Sequence, residues 1–267
     1  DGVDFTGAFT LSTSGTLTVS APVFATTVDL TSGGALRVEA RIESTSGDTA
    51  LASTSGDITI LSDVEAFGGG ITIDSGGDIV IIDSVVVGDF DVILTAAGNV
   101  YIDPSTVQAG RDNDYEATDV VVTAGGWITI IDANLNAHDD VILTAGGDIL
   151  VSGSDLFVND FDGNNDGNVV LESLGGSISV SNSFLTAVEN ITLTADGSIQ
   201  QSGTGALTAD ALILSANTGI WIADAAINTL QATNSISGDL VVTSTPRILQ
   251  SNASVGLDGI VNLGGGD

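Results

Sequence analysis

An acidic segment beyond the middle of the chain has the composition and spacing of a calcium-binding loop. It reads NDFDGNNDGN over 159–168. Oxygen ligands occupy every second position of this segment, at Asp160, Asp162, Asn164 and Asp166. Ca²⁺ prefers carboxylate and amide oxygens, and Gly167 permits the sharp turn that lets alternate residues face one point. The twelfth position counted from Asp162 is Ser173, where such loops usually carry an acidic residue.

Two interpretations of this segment stay open. It is either a Ca²⁺ site or a solvated turn, because Asn, Asp and Gly favour turns without any metal. A second acidic segment, RDNDYEATD at 111–119, offers Asp112, Asp114 and Glu116 as ligands but lacks the glycine. Calcium is the only cofactor that the sequence indicates.

The residue types required for common catalytic sites are scarce. His138 is the only histidine, which leaves no histidine-based triad or zinc cluster. Lysine is absent and the four arginines are scattered, so a lyase acting on acidic polysaccharides lacks its positive group. Carboxylate pairs suited to glycoside hydrolysis arise by chance in so acidic a chain, and no pair stands out. We therefore expect no enzymatic activity.

Composition restricts the partners of the protein. Thirty-five acidic residues against four basic ones give a net charge of -31, which disfavours nucleic acid and anionic membranes and favours cations. No apolar run approaches the roughly 18 residues of a membrane-spanning helix. Cysteine is absent, so disulfides and thiolate metal sites are excluded. Apolar residues make up 43% of the chain, which is sufficient for a large core.

The chain repeats itself with a period of about 21 residues. The segments DVILTAAGNVYI at 91–102 and DVILTAGGDILV at 140–151 are nearly the same. A glycine punctuates each copy, at Gly34, Gly56, Gly77, Gly98, Gly126, Gly147, Gly176, Gly197 and Gly219. The steps between these glycines are 21 or 22 residues, except for one of 28 and one of 29. Such a fixed internal period is typical of solenoids and propellers.

Each period predicts three short strands. Alternating apolar residues precede the glycine, as at Val92 and Leu94, and follow it, as at Ile149 and Val151; a weaker third alternation includes Leu135. The length and pattern do not fit a leucine-rich repeat, and propeller blades need about 40 residues. The sequence therefore predicts an all-β parallel β-helix, a β-solenoid, with roughly twelve coils.

The repeats run through the chain without a recognisable linker. We predict a single β-solenoid domain over 1–267, with inserted loops at 103–119 and 152–168 where the glycine spacing lengthens. Asp and Asn recur at two positions of each repeat, directly after the glycine and at the start of the first strand. We expect them to hydrogen-bond the backbone of their own turns rather than to hold a ladder of ions.

Two segments resemble a known family. LTADGSIQQSGTGALTADALILSANTGI at 193–220 and NTLQATNSISGDLVV at 228–242 are similar to the repeats of filamentous-haemagglutinin-type adhesins, bacterial surface proteins exported by two-partner secretion. The resemblance extends over about 28–242 and implies a right-handed β-helix that serves outside the cell as a stalk, fibre or adhesive surface. No Asn-Pro dipeptide of the family's secretion domain occurs. The chain opens on Asp1 without methionine or signal peptide, so we expect a processed or excised piece of a secreted protein.

A stripe of apolar residues is predicted on one outer face. Strand alternation directs the residue between the two inward positions of the first strand away from the core. Apolar β-branched residues recur at this outward position, at Ile93, Val121, Ile142, Val170, Ile213 and Val241. Soluble monomers seldom expose long apolar patches, so the stripe favours lateral contact with another copy of the chain. The alternatives are that the inserted loops cover it or that strand twist blurs the alternation.

The sequence thus favours an extracellular structural protein, a self-associating subunit or segment of a bacterial surface filament or adhesin. Matching open ends of the solenoid would also allow copies to join into a fibre. The alternative is a carbohydrate-binding or carbohydrate-active β-helix protein acting on neutral glycans. Besides a second copy of the chain, the sequence leaves carbohydrate and a host or cell surface open as partners. An ice-binding solenoid would require a sustained array of T-x-T motifs, which the repeats do not keep from coil to coil.

A calcium site in the 159–168 segment predicts a higher melting temperature in millimolar Ca²⁺ than in chelator, because a ligand that binds only the folded state stabilises it. At a hundredfold excess over Kd the rise should be roughly 5–10 °C. Asp162→Ala should abolish the rise in circular-dichroism melts, whereas Asp210→Ala, outside both acidic segments, should retain it. A rise that survives Asp162→Ala, or no rise at all, identifies the segment as a solvated turn.

Overall fold

The computed structural model describes residues 3–111, 117–159, 167–244, 256–257 and 261–262. Within these ranges the chain forms strands and turns only, and all strand pairings are parallel. No helix capable of crossing a membrane occurs among the described residues. The fold is a parallel β-helix with about 21 residues per coil, which confirms the predicted fold class.

Three parallel sheets run along the solenoid, and each coil contributes one strand to each sheet. The first sheet contains β2 (Phe9–Thr13), β5 (Val28–Ser32), β8 (Thr49–Ser53), β11 (Ile71–Ser75), β14 (Val92–Ala96), β17 (Val120–Ala124), β20 (Val141–Ala145), β23 (Val169–Ser173) and β26 (Asn190–Ala195). The second sheet contains β3 (Leu17–Val19), β6 (Leu36–Val38), β9 (Ile58–Ile60), β12 (Ile79–Ile82), β15 (Val100–Asp103), β18 (Ile128–Ile131), β21 (Ile149–Ser152), β24 (Ile178–Ser181) and β27 (Ile199–Ser202). The third sheet contains β1 (Val3–Asp4), β4 (Val23–Ala25), β7 (Ile42–Ser44), β10 (Val64–Ala66), β13 (Val85–Gly88), β16 (Thr106–Ala109), β19 (Asn134–Ala137), β22 (Asp155–Val158) and β25 (Phe184–Thr186).

The last coils are built from longer strands. β28 (Leu207–Ala216) passes from the third sheet into the first, and β29 (Ile220–Asn234) contributes to all three sheets. β30 (Leu240–Ser244) then pairs with the second-sheet part of β29. The solenoid has about eleven coils, against the roughly twelve predicted. Two short strands, β31 (Gly256–Leu257) and β32 (Val261–Asn262), also pair with β29.

The core lies inside the three sheets as one continuous column. In the first-sheet strands from β5 to β23, the first, third and fifth residues are buried, while the second and fourth face outwards. Isoleucine, valine and leucine fill the first and third positions almost throughout, because β-branched and aliphatic side chains pack well on a pleated surface. The small residues Ser and Ala occupy the fifth position, at the corner where the chain turns.

The corner after the first sheet is held by side chains that bond the next coil. Asp57 Oδ1 accepts the backbone N–H of Asp78 at 2.9 Å, and Asp78 Oδ1 accepts that of Asn99 at 2.7 Å. Asn99 Oδ1 in turn accepts the N–H of Trp127 at 3.0 Å. We call this series the glycine corner, because the punctuating glycine of each repeat precedes the bonded residue. The expectation that Asp and Asn bond their own turns was wrong: here their partners lie one coil further along.

The punctuating glycine is required because the side chain of the preceding coil lies directly against it. A Cβ at Gly98 would lie 2.2 Å from Asp78 Oδ1, and one at Gly126 would lie 2.2 Å from Asn99 Oδ1. Gly147 follows Trp127 in the column, and its nearest neighbour would be 3.4 Å away. Glycine at positions 98 and 126 therefore leaves space for a carboxylate or amide and does not supply an unusual backbone angle, because neither residue has a positive φ.

Among the described residues that carry a side chain, left-handed backbone occurs only at the corner after the second sheet. Glycines adopt positive φ at other corners as well, as at Gly219 with φ 127°. Asp83, Asp132 and Asn182 have φ of 51°, 49° and 51°. Asn and Asp tolerate this region better than other residues that carry a side chain. Glycine takes the same corner in other coils, as at Gly153 with φ 63°.

The predicted loop boundaries were too wide. Strand β16 lies within the predicted loop 103–119, and strand β22 lies within the predicted loop 152–168. Both strands pair with their neighbours in the third sheet, so the insertions follow the third strand of their coils. The alternation of apolar and polar residues in these two strands is short. The lengthened glycine spacing shows that a coil contains extra residues but not where in the coil they lie.

Adding a methyl group at the glycine corner tests the close packing directly. We expect Gly98→Ala to lower the free energy of unfolding by about 1–3 kcal/mol, because the new Cβ would overlap Asp78 Oδ1. Gly147→Ala is the matched control and should change it by less than about 1 kcal/mol, since no carboxylate lies beneath it. Urea denaturation followed by circular dichroism measures both. Equal losses would show that the corner depends on backbone freedom instead of space.

Candidate functional site

Two columns of side chains cover the outer face of the first sheet. The strand register stacks the predicted apolar residues one above another, in the order Thr72, Ile93, Val121, Ile142, Val170, Thr192 and Ile213. Neighbouring strands lie about 4.8 Å apart, so each β-branched side chain covers part of the next. This explains why Ile93, Val121 and Ile142 are half-buried although they point away from the core.

Val241 does not belong to this stripe. It pairs with Trp221 in the second sheet, whereas the position after Ile213 in the first-sheet column is Gln231. The error arose because DLVV at 239–242 resembles the opening of a first strand. Gly238 precedes it, however, as a glycine precedes the second strand in the other repeats.

A second column, missed by the sequence analysis, runs beside the apolar one. It contains the residues two positions further along the same strands, Thr95, Thr123, Thr144, Glu172, Thr194 and Ser215. Threonine presents both a methyl group and a hydroxyl, so this column extends the apolar surface while it offers hydrogen bonds. We call the two columns together the ladder face. Its signal was present in the recurring segments VILTA, VVVTA and ITLTA.

A further column, of acidic residues, lies directly before the strands of the first sheet. Asp91 Oδ1 accepts the N–H of Asp119 at 3.0 Å, Asp119 Oδ1 accepts that of Asp140 at 3.0 Å, and Asp140 Oδ1 accepts that of Asn168 at 2.8 Å. Asn168 takes the next position in this column, where another carboxylate would repel Asp140. The Asn168 side-chain amide instead donates to Asp140 Oδ1 at 3.0 Å. As at the glycine corner, the acceptors bond the following coil and not their own turn.

One acidic cluster on this column has the ligands for a cation. Carboxylate oxygens of Asp119, Asp139 and Asp140 all lie within 4.8 Å of one another and are partly buried. Burial raises the pKa of the Asp119 carboxyl, and the charges of Asp140 and Asp91 raise it further, whereas the N–H of Asp140 lowers it. A hard cation would relieve the repulsion that this arrangement creates.

The predicted calcium ligands Asp160, Asp162, Asn164 and Asp166 lie outside the described residues, as do Asp112, Asp114 and Glu116 of the other acidic segment. The described residue on one side is Asn159, which is half-buried at the end of β22. On the other side Asn168 belongs to the acidic column. The calcium hypothesis therefore stays a prediction.

Two of the arginines meet, although they are far apart in sequence. Arg41 Nη2 lies 2.7 Å from Glu65 Oε1 and 2.8 Å from Glu43 Oε2, and Arg111 binds the other oxygen of Glu65. The guanidinium of Arg111 also lies 3.9 Å from the ring centroid of Phe67. Both cations are thus engaged by carboxylates of the third sheet.

Comparison of the chain with protein-family models, with curated proteins and with solved structures found no match. The likeness to filamentous-haemagglutinin-type repeats accordingly rests on the repeat pattern and on the β-solenoid fold.

The raised pKa of Asp119 predicts a distinct pH dependence. A carboxyl whose pKa is higher in the folded than in the unfolded protein is protonated first in the folded state as the pH falls. The loss of stability caused by its ionised form therefore decreases as the pH is lowered from 7 through the folded pKa. We expect Asp119→Asn to melt higher than the wild type at pH 7, because the amide oxygen can still accept the N–H of Asp140. The difference should shrink towards pH 4. A constant difference across this range would rule out the proposed protonation.

Proposed function

We propose that the protein is a self-associating segment of an extracellular bacterial filament or adhesin, with the ladder face as its lateral contact. The single observation that carries this is the in-register stack of Ile93, Val121, Ile142 and Val170 beside the threonine column. A regular face of this kind suits a partner whose side chains repeat with the same spacing. A second copy of the chain has that spacing.

The shape of the solenoid supports a structural role. Its eleven or so coils make a rod about 50 Å long. Each coil contacts only its neighbours, so length can grow by adding coils without redesigning the core. Rigidity and reach are what a stalk or fibre requires.

The energetics favour lateral contact once charge is screened. A fully buried Ile or Val side chain contributes roughly 1.5–3 kcal/mol, and these side chains already hide part of their surface. Burial of four or five such side chains on each of two copies contributes a free energy comparable with the cost of association, which is about 4–15 kcal/mol. The net charge of -31 opposes contact between copies, and salt reduces that repulsion.

The N-terminal end of the described solenoid carries two stacked aromatic residues. The rings of Phe5 and Phe9 have centroids 4.5 Å apart and pack against the end of the core. Leu11 in β2 stays 39% exposed, so this end also presents apolar surface on which a second copy could pack.

We expect the wild type to associate more strongly as its concentration and the NaCl concentration increase, because apolar contact then outweighs charge repulsion. The triple variant Ile93→Asp, Val121→Asp, Ile142→Asp should remain monomeric in sedimentation velocity. Its circular-dichroism spectrum should match the wild type, since the three side chains point outwards.

The matched control places the same added charge on the second sheet. Val80→Asp, Thr129→Asp and Leu150→Asp change outward, half-buried positions of β12, β18 and β21 and should leave association intact. A wild type that stays monomeric at high salt, or a ladder-face variant that assembles normally, would contradict the proposal.

A further inference from the structure

A groove on the outer face of the third sheet combines exposed aromatic rings with amide and carboxylate side chains. It has a volume of about 380 Å³ and is lined by Asn134, Asn136, Asp155, Phe157, Phe184 and Thr186, together with the backbone of Leu156. This volume falls within the roughly 300–1,000 Å³ of typical ligand sites. The groove lies on a different sheet from the ladder face.

The strand register explains how the groove forms. Asn134 pairs with Asp155, and Asp155 pairs with Phe184, so these three side chains form one outward column. Asn136, Phe157 and Thr186 form the column beside it. Each ring therefore has a polar residue next to it in its own column and in the neighbouring one.

The two phenyl rings are presented to solvent at a defined separation. Phe157 and Phe184 are 40% and 48% exposed. They occupy adjacent strands and differ by one outward position, which places their Cα atoms about 8 Å apart by strand spacing and rise. Rigid strands fix this distance, so the rings are ready for a ligand without reordering a loop.

The polar side chains beside the rings are available to a ligand. Among the described residues, Asn134, Asn136 and Asp155 make no side-chain hydrogen bond to protein. Amides both donate and accept hydrogen bonds, and the carboxylate accepts two or more. Polar groups placed in the middle of the patch do not suit a protein interface, whose centre is usually apolar.

We propose that this groove binds a neutral polysaccharide chain, with Phe157 and Phe184 stacked on the apolar faces of two sugar units and the Asn134, Asn136 and Asp155 side chains bonding their hydroxyls. Sugars present alternating C–H faces and hydroxyl pairs, which matches the alternation of rings and polar groups. This function is separate from the proposed self-association.

The charges around the groove select against acidic sugars. Asp155 lies in its centre. Among the described residues, the arginine that lines the adjoining cavity of about 340 Å³ is Arg111, together with Gln108 and Asn136. Arg111 is already bound to Glu65 and stacked on Phe67. A uronate would therefore meet a carboxylate without a free positive partner. The adjoining cavity shares Asn136 and Phe157 with the groove, so the site continues across neighbouring coils.

The test uses affinity electrophoresis and isothermal titration with a β-glucan, a xylan, a galactomannan and dextran as neutral probes, and with alginate and polygalacturonate as acidic ones. We expect at least one neutral polysaccharide to bind and the acidic ones to bind more weakly or not at all. Phe157→Ala and Phe184→Ala should each weaken binding about tenfold or more, because each removes one stacking platform. Asn136→Ala should weaken it less, through the loss of hydrogen bonds.

Phe90→Ala is the matched control, because Phe90 is similarly exposed at 43% but lies outside the groove. It should bind as the wild type does. The ladder-face triple variant should also bind normally, which separates failure of this site from failure of the self-association proposal. Absence of binding to all four neutral polysaccharides, equal loss in Phe90→Ala, or stronger binding of an acidic polysaccharide would overturn the assignment. Loss of self-association in Phe157→Ala would instead identify the groove as a contact between copies.

Discussion

The fold depends on one recurring hydrogen bond, from a backbone N–H at a corner to a side-chain oxygen of the preceding coil. A parallel solenoid must turn three times per coil, and a buried or crowded N–H at a turn needs a partner. Asp57, Asp78 and Asn99 supply that partner along the glycine corner. The bond forms only if the residue above leaves room for the oxygen, which is why glycine recurs with the acid. The glycine and the Asp or Asn of the repeat thus serve the same hydrogen bond.

This bond also sets the surface of the molecule. Because corners such as Asp78 and Asp119 are tied to the equivalent residue one coil away, the strands between them keep one register, and outward residues of the same type form straight columns. The ladder face and the third-sheet groove are both products of that register. The insertions do not disturb it: although 28 residues separate Asp91 from Asp119, the corner bond between them is as short as the others.

The sequence predicted the period, the three strands and the core because these depend on local alternation. Val92 and Leu94 are buried and Ile93 is not, as their spacing indicates. The sequence did not place Val241 correctly. Strand β29 contributes to all three sheets without the usual turns, so counting strands from the last punctuating glycine assigns Val241 to the wrong sheet. The sharing of Glu65 by Arg41 and Arg111 was also hidden, as was the proximity of Phe157 to Phe184. Residues three coils or 27 positions apart become neighbours only after the length of each coil is known.

The interruption at Trp127 divides the glycine corner into two series. The backbone N–H of Trp127 donates to Asn99 Oδ1, but the indole side chain offers no oxygen to the next coil, and the series resumes when Asp148 Oδ1 accepts the N–H of Ser177 at 2.7 Å. The backbone bonds continue across this gap, because the N–H of Gly147 donates to the carbonyl of Gly126 at 2.8 Å and that of Ile128 donates to the carbonyl of Asp148 at 3.0 Å. The junction between these two coils therefore depends on backbone bonds and on the shared core, and it accepts a residue whose side chain has no oxygen.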